Sequence, residues 1–491
     1  MTGKGRARLV LLLSLTTATA RAQDANAVIR QALKAMGDVQ SVRYSGTGHM
    51  GAVGMNWNPT GPWHTTALTS YTRTIDYPSG SSTEEITRMQ ENPPMLGGEA
   101  PFVDVIHEGR RVSGKYAWNQ PANANPTPPP DFVQPAVAAA YERGLQIWLT
   151  PHGFLKAAAQ NHATAKAGVD DGSSVTLLTF TTGKNKIEGT IDAQSMVTRV
   201  ETWIPNPVLG DMPVETSYSD YRDFNGVKLP THIIQKQGGF PTLDLVVTNA
   251  QANVEGAALQ VPEAVLRATI PPDRVTPEKI ADGVWLLHGG HNSVVIEFRD
   301  YLTVVDAPLN EARSLVVIAE AKKLAPGKPI RYVINTHHHF DHSGGLRTYV
   351  AEGATVITHE GNKTFYEWAW KQPRTMEPDK LAENPREPIF ITYKSKYVLT
   401  DGSRSAEVHL TIGDNHDEFL SFVYLPKEKL LIEVDDFSDR YITAMSLGLW
   451  NNLYGNLQRL NLDVQNIAPL HGNVTPMAEW LKWLRDSTAL N

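Results

Sequence analysis

The stretch Thr336-His337-His338-His339-Phe340-Asp341-His342-Ser343-Gly344-Gly345 decides how this chain is read. It sets four imidazoles and a carboxylate into six positions, with His337, His339, Asp341 and His342 in the pattern H-x-H-x-D-H. Neutral imidazoles and carboxylates together suit zinc and similar first-row metals. Val333-Ile334 leads in as a core strand, and Gly344-Gly345 leads out. Histidine at this density is a poor way to fill a core, and a solvated cluster does not need this spacing. By alternation His338 points away from its neighbours, toward the outer side of the site or solvent.

Working outward, strands and helices alternate. Residues 283–287, 293–298 and 301–305 read as strands, the last ending at Asp306. Asn310 caps a helix over 313–324, with Leu315, Ile318, Ala319 and Lys322 along one side. The strand 330–335 runs into the histidine stretch. Residues 346–352 form a helix stopped by Gly353, and 355–358 form another strand. The alternation calls for an α/β sandwich. In such sheets ligands bind beyond the carboxyl ends of strands, where further candidates stand: His416 after strand 407–412, Asp435 after 430–434 and His471 after 467–470. A last helix begins at Thr475-Pro476, a cap followed by proline, with Trp480, Leu481 and Leu484 on its buried face.

The motif and this later order of a lone His, an Asp and a His-Gly resemble the metallo-β-lactamase fold superfamily, over roughly residues 280–491. The resemblance implies a C-terminal αββα sandwich and two metal sites. His337, His339 and His416 would hold one ion; Asp341, His342 and His471 would hold the other; Asp435 would bridge. Asp436 is adjacent and could bridge instead, although Asp435-Asp436-Phe437 favours Asp435. The implied cofactor is two Zn2+ per chain, with another divalent metal or iron as alternatives. Paired cations lower the pKa of a shared water, so that a metal-bound hydroxide exists near neutral pH. Asp341 would orient it or move its proton. Asp306 resembles the family's strand-end Asp and would orient a ligand. His291, His288 and His359 sit near strand ends, where packing is the plainer reading. Tyr441 and Trp450 lie in a segment that often borders the substrate in this fold, and packing explains such aromatics equally well. After His416, Asp417-Glu418-Phe419 departs from the family's common Thr-Pro-Gly.

The chain has 491 residues, too many for one ordinary core. A net charge of −7 gives no support to nucleic-acid binding. The absence of cysteine excludes disulfides, thiolate ligands and thiol nucleophiles. Lys4, Arg6 and Arg8, an apolar run over 9–15 and Ala20-Arg21-Ala22 read as a signal peptide over 1–22. That predicts a periplasmic or secreted protein, in keeping with a Gram-negative source, and no transmembrane segment remains after signal removal.

Residues 23–261 read as an α+β domain of unknown role. A helix over 24–36 is capped by Asp24 and ended by Gly37, and two helical pieces fill 135–160 with a break near Pro151-His152-Gly153. Short alternating strands fill the remainder, around a proline run at 126–130. The expected picture is a curved, mainly antiparallel sheet with helices on one face, similar in pattern to lipoprotein-carrier-like domains of the bacterial envelope. None of its six histidines has ligand spacing. Pro262, Pro271, Pro272 and Pro277 mark 262–282 as a linker, and ten of the sixteen histidines follow residue 283.

Three functions compete. The first is a di-zinc hydrolase acting on a small-molecule ester, lactone, thioester or amide, with β-lactams possible. The bridging Asp is more typical of glyoxalase-II-like and lactonase-like branches. The second is a mononuclear-iron sulfur oxidoreductase of the persulfide-dioxygenase kind. The third is a non-catalytic envelope protein whose N-terminal half binds lipid or peptide. Structural zinc sites are usually closed tetrahedra, which disfavours the third. Oligomeric state is not legible.

Overall fold

A computed structural model describes residues 22–91, 95–98, 105–121, 132–439 and 446–488. The signal-peptide reading up to residue 21, the proline run at 126–130 and Tyr441 lie outside the described residues. No helix among the described residues is long and apolar enough to cross a membrane.

The N-terminal half is a 14-stranded, wholly antiparallel sheet. Its long strands alternate as a half-buried sheet requires: along Gly210–Ser219, Met212, Val214, Thr216 and Tyr218 point into the core. Ser41–Gly51 pairs with Phe240–Ala252 on one side and with Thr65–Asp76 on the other, so the beginning and end of this half meet inside the sheet. Ala25–Met36 is capped by Asp24, whose carboxylate accepts from the Asn26 amide (3.0 Å), and it ends at Gly37 with φ 80°. The helical stretch after 135 breaks at Leu149-Thr150, and Pro151 opens the helix Pro151–Gln160. Phe154 on that helix packs directly against Gly189 of the sheet, where any Cβ would fall 2.2 Å from its ring.

The C-terminal half stacks two sheets. The first runs Thr276–Ala281, Val284–His288, Ser293–Glu297, Leu302–Val305, Ile330–Ile334, Thr355–His359 and Phe390–Tyr393, antiparallel at first and parallel from Leu302–Val305 onward. Its edge strand, Thr276–Ala281, comes from the stretch expected to be linker; Pro277 is tolerated because edges leave N–H groups unpaired. The second sheet runs from Lys396–Thr400 to Thr475–Pro476. Val294, Ile296, Val305, Ile334 and Ile357 meet Val408, Val423, Leu425 and Ile432 between them. Glu311–Leu324 and Leu346–Ala351 cover one outer face, while Ser446–Arg459 and Met477–Thr488 cover the other, completing the αββα order.

Two helix expectations shift. Asn310 does cap, accepting from the Arg313 amide, but the buried face of Glu311–Leu324 is Arg313, Ser314, Val317, Ile318 and Ala321, rotated from the stripe read in the sequence. Thr475–Pro476 pairs with Asn466–Pro469 as a short strand, and the last helix starts at Met477.

His152 is a core histidine of the N-terminal half. It is 1% exposed, and its Nε2 bonds the Gly37 carbonyl at 2.8 Å. Burial holds its pKa down to about 4 from an ordinary 6.5. The unfolded chain therefore takes a proton that the folded one refuses. The associated stability is present above pH 6.5 and is lost as pH falls toward 4, by about 2 kcal/mol between pH 7 and 5. Urea unfolding of His152→Gln at both pH values should show that much of the acid-side loss removed.

Candidate metal centre

The histidine stretch leaves the sheet at Ile334 and turns into the short helix Phe340–Ser343. The turn is tight: a Cβ on Gly344 would meet the Leu309 carbonyl at 1.9 Å, and one on Gly345 the Ser314 hydroxyl at 1.9 Å. The paired glycines thus let the stretch sit against the start of Glu311–Leu324.

Hydrogen bonds behind the rings fix which nitrogen each presents. Thr336 gives its hydroxyl proton to Asp306 Oδ2 (2.7 Å), so the same hydroxyl accepts from His337 Nδ1 (3.1 Å) and leaves Nε2 as the free lone pair. Asp306 Oδ2 also accepts from His342 Nδ1 (2.9 Å), again freeing Nε2. His339 is turned the other way. Its Nε2 donates to the main-chain carbonyl of Asn56 (2.9 Å), which frees Nδ1. Asp306 therefore fixes the orientation of the His342 ring.

The free atoms converge. His337, His339 and His416 form one trio whose donor atoms lie within 4.8 Å of one another, and His342, Asp435 and His471 form a second. Asp435 stands between them. Its Oδ2 lies 3.2 Å from His337 Nε2, 3.2 Å from His342 Nε2 and 3.3 Å from His416 Nε2, and its Oδ1 lies 3.0 Å from His471 Nε2. Asp341 Oδ2 lies 3.4 Å from His342 Nε2 and 3.9 Å from His471 Nε2. Asp436 does not share this place. Its buried carboxyl is pushed well above the ordinary range by burial and by the neighbouring Asp414 and Glu433.

Electrostatics match a cation seat. Burial and neighbouring imidazoles hold His337 well below the ordinary range, and His339 down to about 3, keeping both neutral as ligation requires. Burial opposes charge on His342 and His416, yet carboxylates overcome it, Asp435 first. His342 is held well above the ordinary range and His416 is raised to about 9. Burial opposes the Asp435 carboxylate too, and the surrounding imidazoles hold it well below the ordinary range. His337 Nε2, His416 Nε2 and Asp435 Oδ2 are buried without a hydrogen-bond partner. Orphans of that kind are rare unless a bound group completes them, and this donor set fits two divalent cations.

Other candidates fall inside and outside the cluster. His291 comes in: its Nε2 bonds Asp341 Oδ2 (3.1 Å), and its ring meets His471 edge-on at 4.5 Å. Asp341, His471 and His291 keep 21–24% of their side-chain surface, so solvent reaches the cluster from this side. His338 is fully buried, not solvated. Its Nδ1 lies 2.5 Å from Asp417 Oδ2, and its Nε2 bonds Asn56 Oδ1 at 3.1 Å. Trp450 does not border the cleft. It is 1% exposed and packs on Phe437 and Trp480, because its helix turns that face to the sheet. His288 pairs with Glu278, and His359 stacks on Phe419.

Asn56 and its neighbours join the site without any signal in the sequence. The Trp57 indole N–H donates to the Asp414 carbonyl (3.0 Å), the Glu418 amide to the Trp57 carbonyl (2.7 Å) and the Gly97 amide to the Asn415 carbonyl (2.8 Å). Asn58 bonds the Glu418 carboxylate. The N-terminal half thereby grips the loop that carries His416. Within the departure Asp417-Glu418-Phe419, Glu418 supplies part of that grip by taking Asn58, while Asp417 takes His338 inside the C-terminal half. Gly54 sits directly on the Phe340 ring, with φ 75° and no room for a Cβ.

Residues 287–432 match the family model of the metallo-beta-lactamase superfamily. Solved structures similar to the chain include a metallo-beta-lactamase from Pontibacter korlensis, at 19% identity over 44% of this chain and 99% of that one, with TM-score 0.35. FIM-1 from Pseudomonas aeruginosa in its mono-zinc form is 18% identical over 45% and 98%, with TM-score 0.35. The flavodiiron protein from Giardia intestinalis is 17% identical over 44% and 61%, with TM-score 0.33. No curated protein matches the chain.

Asp306→Ala should release His342 and weaken metal binding about 10–100-fold. Competition with a chromophoric chelator measures this directly.

Proposed function

We propose, from the match of residues 287–432 to the metallo-beta-lactamase superfamily model, that the chain is a metal-dependent hydrolase, using two zinc ions on a small ester, lactone, thioester or amide, β-lactams included. The observation that carries this reading is the Asp435 carboxylate, set with one oxygen toward His337, His342 and His416 and the other toward His471. His337, His339 and His416 would hold one ion, Asp341, His342 and His471 the other, with Asp435 between. Two such cations would acidify a water and polarise a carbonyl at neutral pH.

The chain's own residues do the rest. Asp341 takes one hydrogen bond at Oδ2 from His291, and its buried Oδ1 has no partner. That oxygen is placed to accept a proton from water at the cluster. His291 holds the carboxylate in orientation, and burial keeps its own pKa below the ordinary value, so it acts as a neutral donor. Substrate approaches from the side where Asp341, His471 and His291 meet solvent. The signal-like residues 4–22 support placing the mature enzyme in the periplasm or the medium.

Zinc-loaded protein should hydrolyse at least one member of a panel of nitrocefin, aliphatic lactones, thioesters and aryl esters. Dialysis against EDTA should abolish turnover, and Asp341→Asn should lower kcat by about 100-fold with little change in KM. No turnover on any member by metal-replete protein contradicts the proposal.

A further inference from the structure

The two trios of the metal centre are held from different parts of the chain. The second is secured within the C-terminal half. Asp306 holds His342 there, and the buried Asn292 donates from Nδ2 to the carbonyls of Pro469 (3.1 Å) and Gly472 (2.9 Å), on either side of His471. In the first trio Thr336 holds His337, but His339 and the loop of His416 lean on the N-terminal half.

Asn56 meets the histidine stretch at two points, and it is fully buried there. Its Nδ2 donates to the carbonyls of Asn58 and Gly61. That leaves Oδ1 as the acceptor, and it takes the Nε2 proton of His338 (3.1 Å). Its main-chain carbonyl takes the Nε2 proton of His339 (2.9 Å). One side chain thus pins its own turn and the residue between two ligands, and so sets where the carbonyl stands over His339. Trp57 follows at once. Its indole N–H donates to the Asp414 carbonyl (3.0 Å), and its carbonyl accepts from the Glu418 amide (2.7 Å), so the pair brackets His416. Gly97 forms an isolated antiparallel bridge with Asn56 and donates to the Asn415 carbonyl (2.8 Å), the residue just before His416. A ring whose outer nitrogen is bonded keeps one tautomer and one orientation, which a metal ligand needs.

We propose that Asn56 is a positioning residue for the first metal seat alone. Together with Trp57 it sets the His339 ring and the His416 loop. The affinity of that seat for a first-row divalent cation is therefore governed from the N-terminal half, and that of the seat built from Asp341, His342 and His471 is not. The inference rests on the two-cation reading of the centre.

Cobalt(II) is the probe, titrated into the full chain stripped of metal. Competition with a chromophoric chelator yields two binding constants, and the visible absorption of the bound cobalt shows which seat is filled. His416→Ala, which removes a ligand of the first seat, supplies the spectrum of the second seat by itself. Asn56→Ala should weaken the first seat about tenfold or more and leave the second constant unchanged. The absorption it loses should match the difference between wild type and His416→Ala. Trp57→Phe, which keeps an aromatic ring and loses one hydrogen bond, should weaken the same seat about threefold. Asp211→Ala loosens the other contact between the halves, at Thr375 and Met376, and should leave both constants unchanged. A residue needed only for packing would lower both constants together. Circular dichroism checks that each variant is folded; if Asn56→Ala is not, the Trp57→Phe constants decide alone. Equal weakening of both seats, unchanged constants in Asn56→Ala, or the same selective loss in Asp211→Ala overturns the inference and leaves the two-cation centre standing. A wild-type chain that binds no cobalt overturns both.

Discussion

A buried carboxylate must be matched by positive charge, and Asp435 is the place where this chain meets that demand. Left unpaired in the interior, such a group costs several kcal/mol. Four imidazole nitrogens stand within 3.3 Å of its two oxygens. They come from the ends of three separate stretches, after Ile334, after Leu410 and after Pro469. No local preference brings these together. The two-sheet sandwich does so, by aligning strand ends at one edge. Protons on His342 and His416 and bound cations are alternative ways to satisfy the same carboxylate, so metal loading and folding of this edge are linked.

The same constraint explains why the N-terminal half is more than an attachment. His339 must offer Nδ1, and the group that enforces this is a carbonyl 283 residues away, at Asn56. The loop of His416 is held by Trp57, Asn58 and Gly97. A second grip lies elsewhere: Arg374 donates to the carbonyls of Pro207 and Val208, and Asp211 accepts from the amides of Thr375 and Met376. Two separated anchor points restrain rotation of one half against the other, which keeps the rings of the first trio in place.

What could be read from the sequence was local or repeated. The H-x-H-x-D-H stretch, the caps at Asp24 and Asn310 and the strand–helix alternation state themselves within a few residues; the caps and the alternation are found in the fold, and the stretch brings its rings together at one sheet edge. Asp435 was separable from Asp436 only weakly by pattern. In the fold Asp436 instead faces two other acids, Asp414 and Glu433, which no spacing announces. The helical stripe at 311–324 was misplaced because Arg313 is buried, its guanidinium bonding the carbonyls of Leu287 and His291. A charged residue reads as exposed until its partners are known. Trp450 failed in the opposite sense, since an aromatic in a candidate cleft segment is equally good core. Asn56 carried no signal at all, because a main-chain carbonyl has no residue identity.

A two-cation centre bridged by Asp435 is tested most directly by elemental analysis of protein purified without added metal, on wild type and Asp435→Asn together. About two zinc ions per wild-type chain and a clear loss in the variant are expected. One iron per chain, indifferent to Asp435, would contradict it and move the chemistry to oxygen-dependent sulfur substrates.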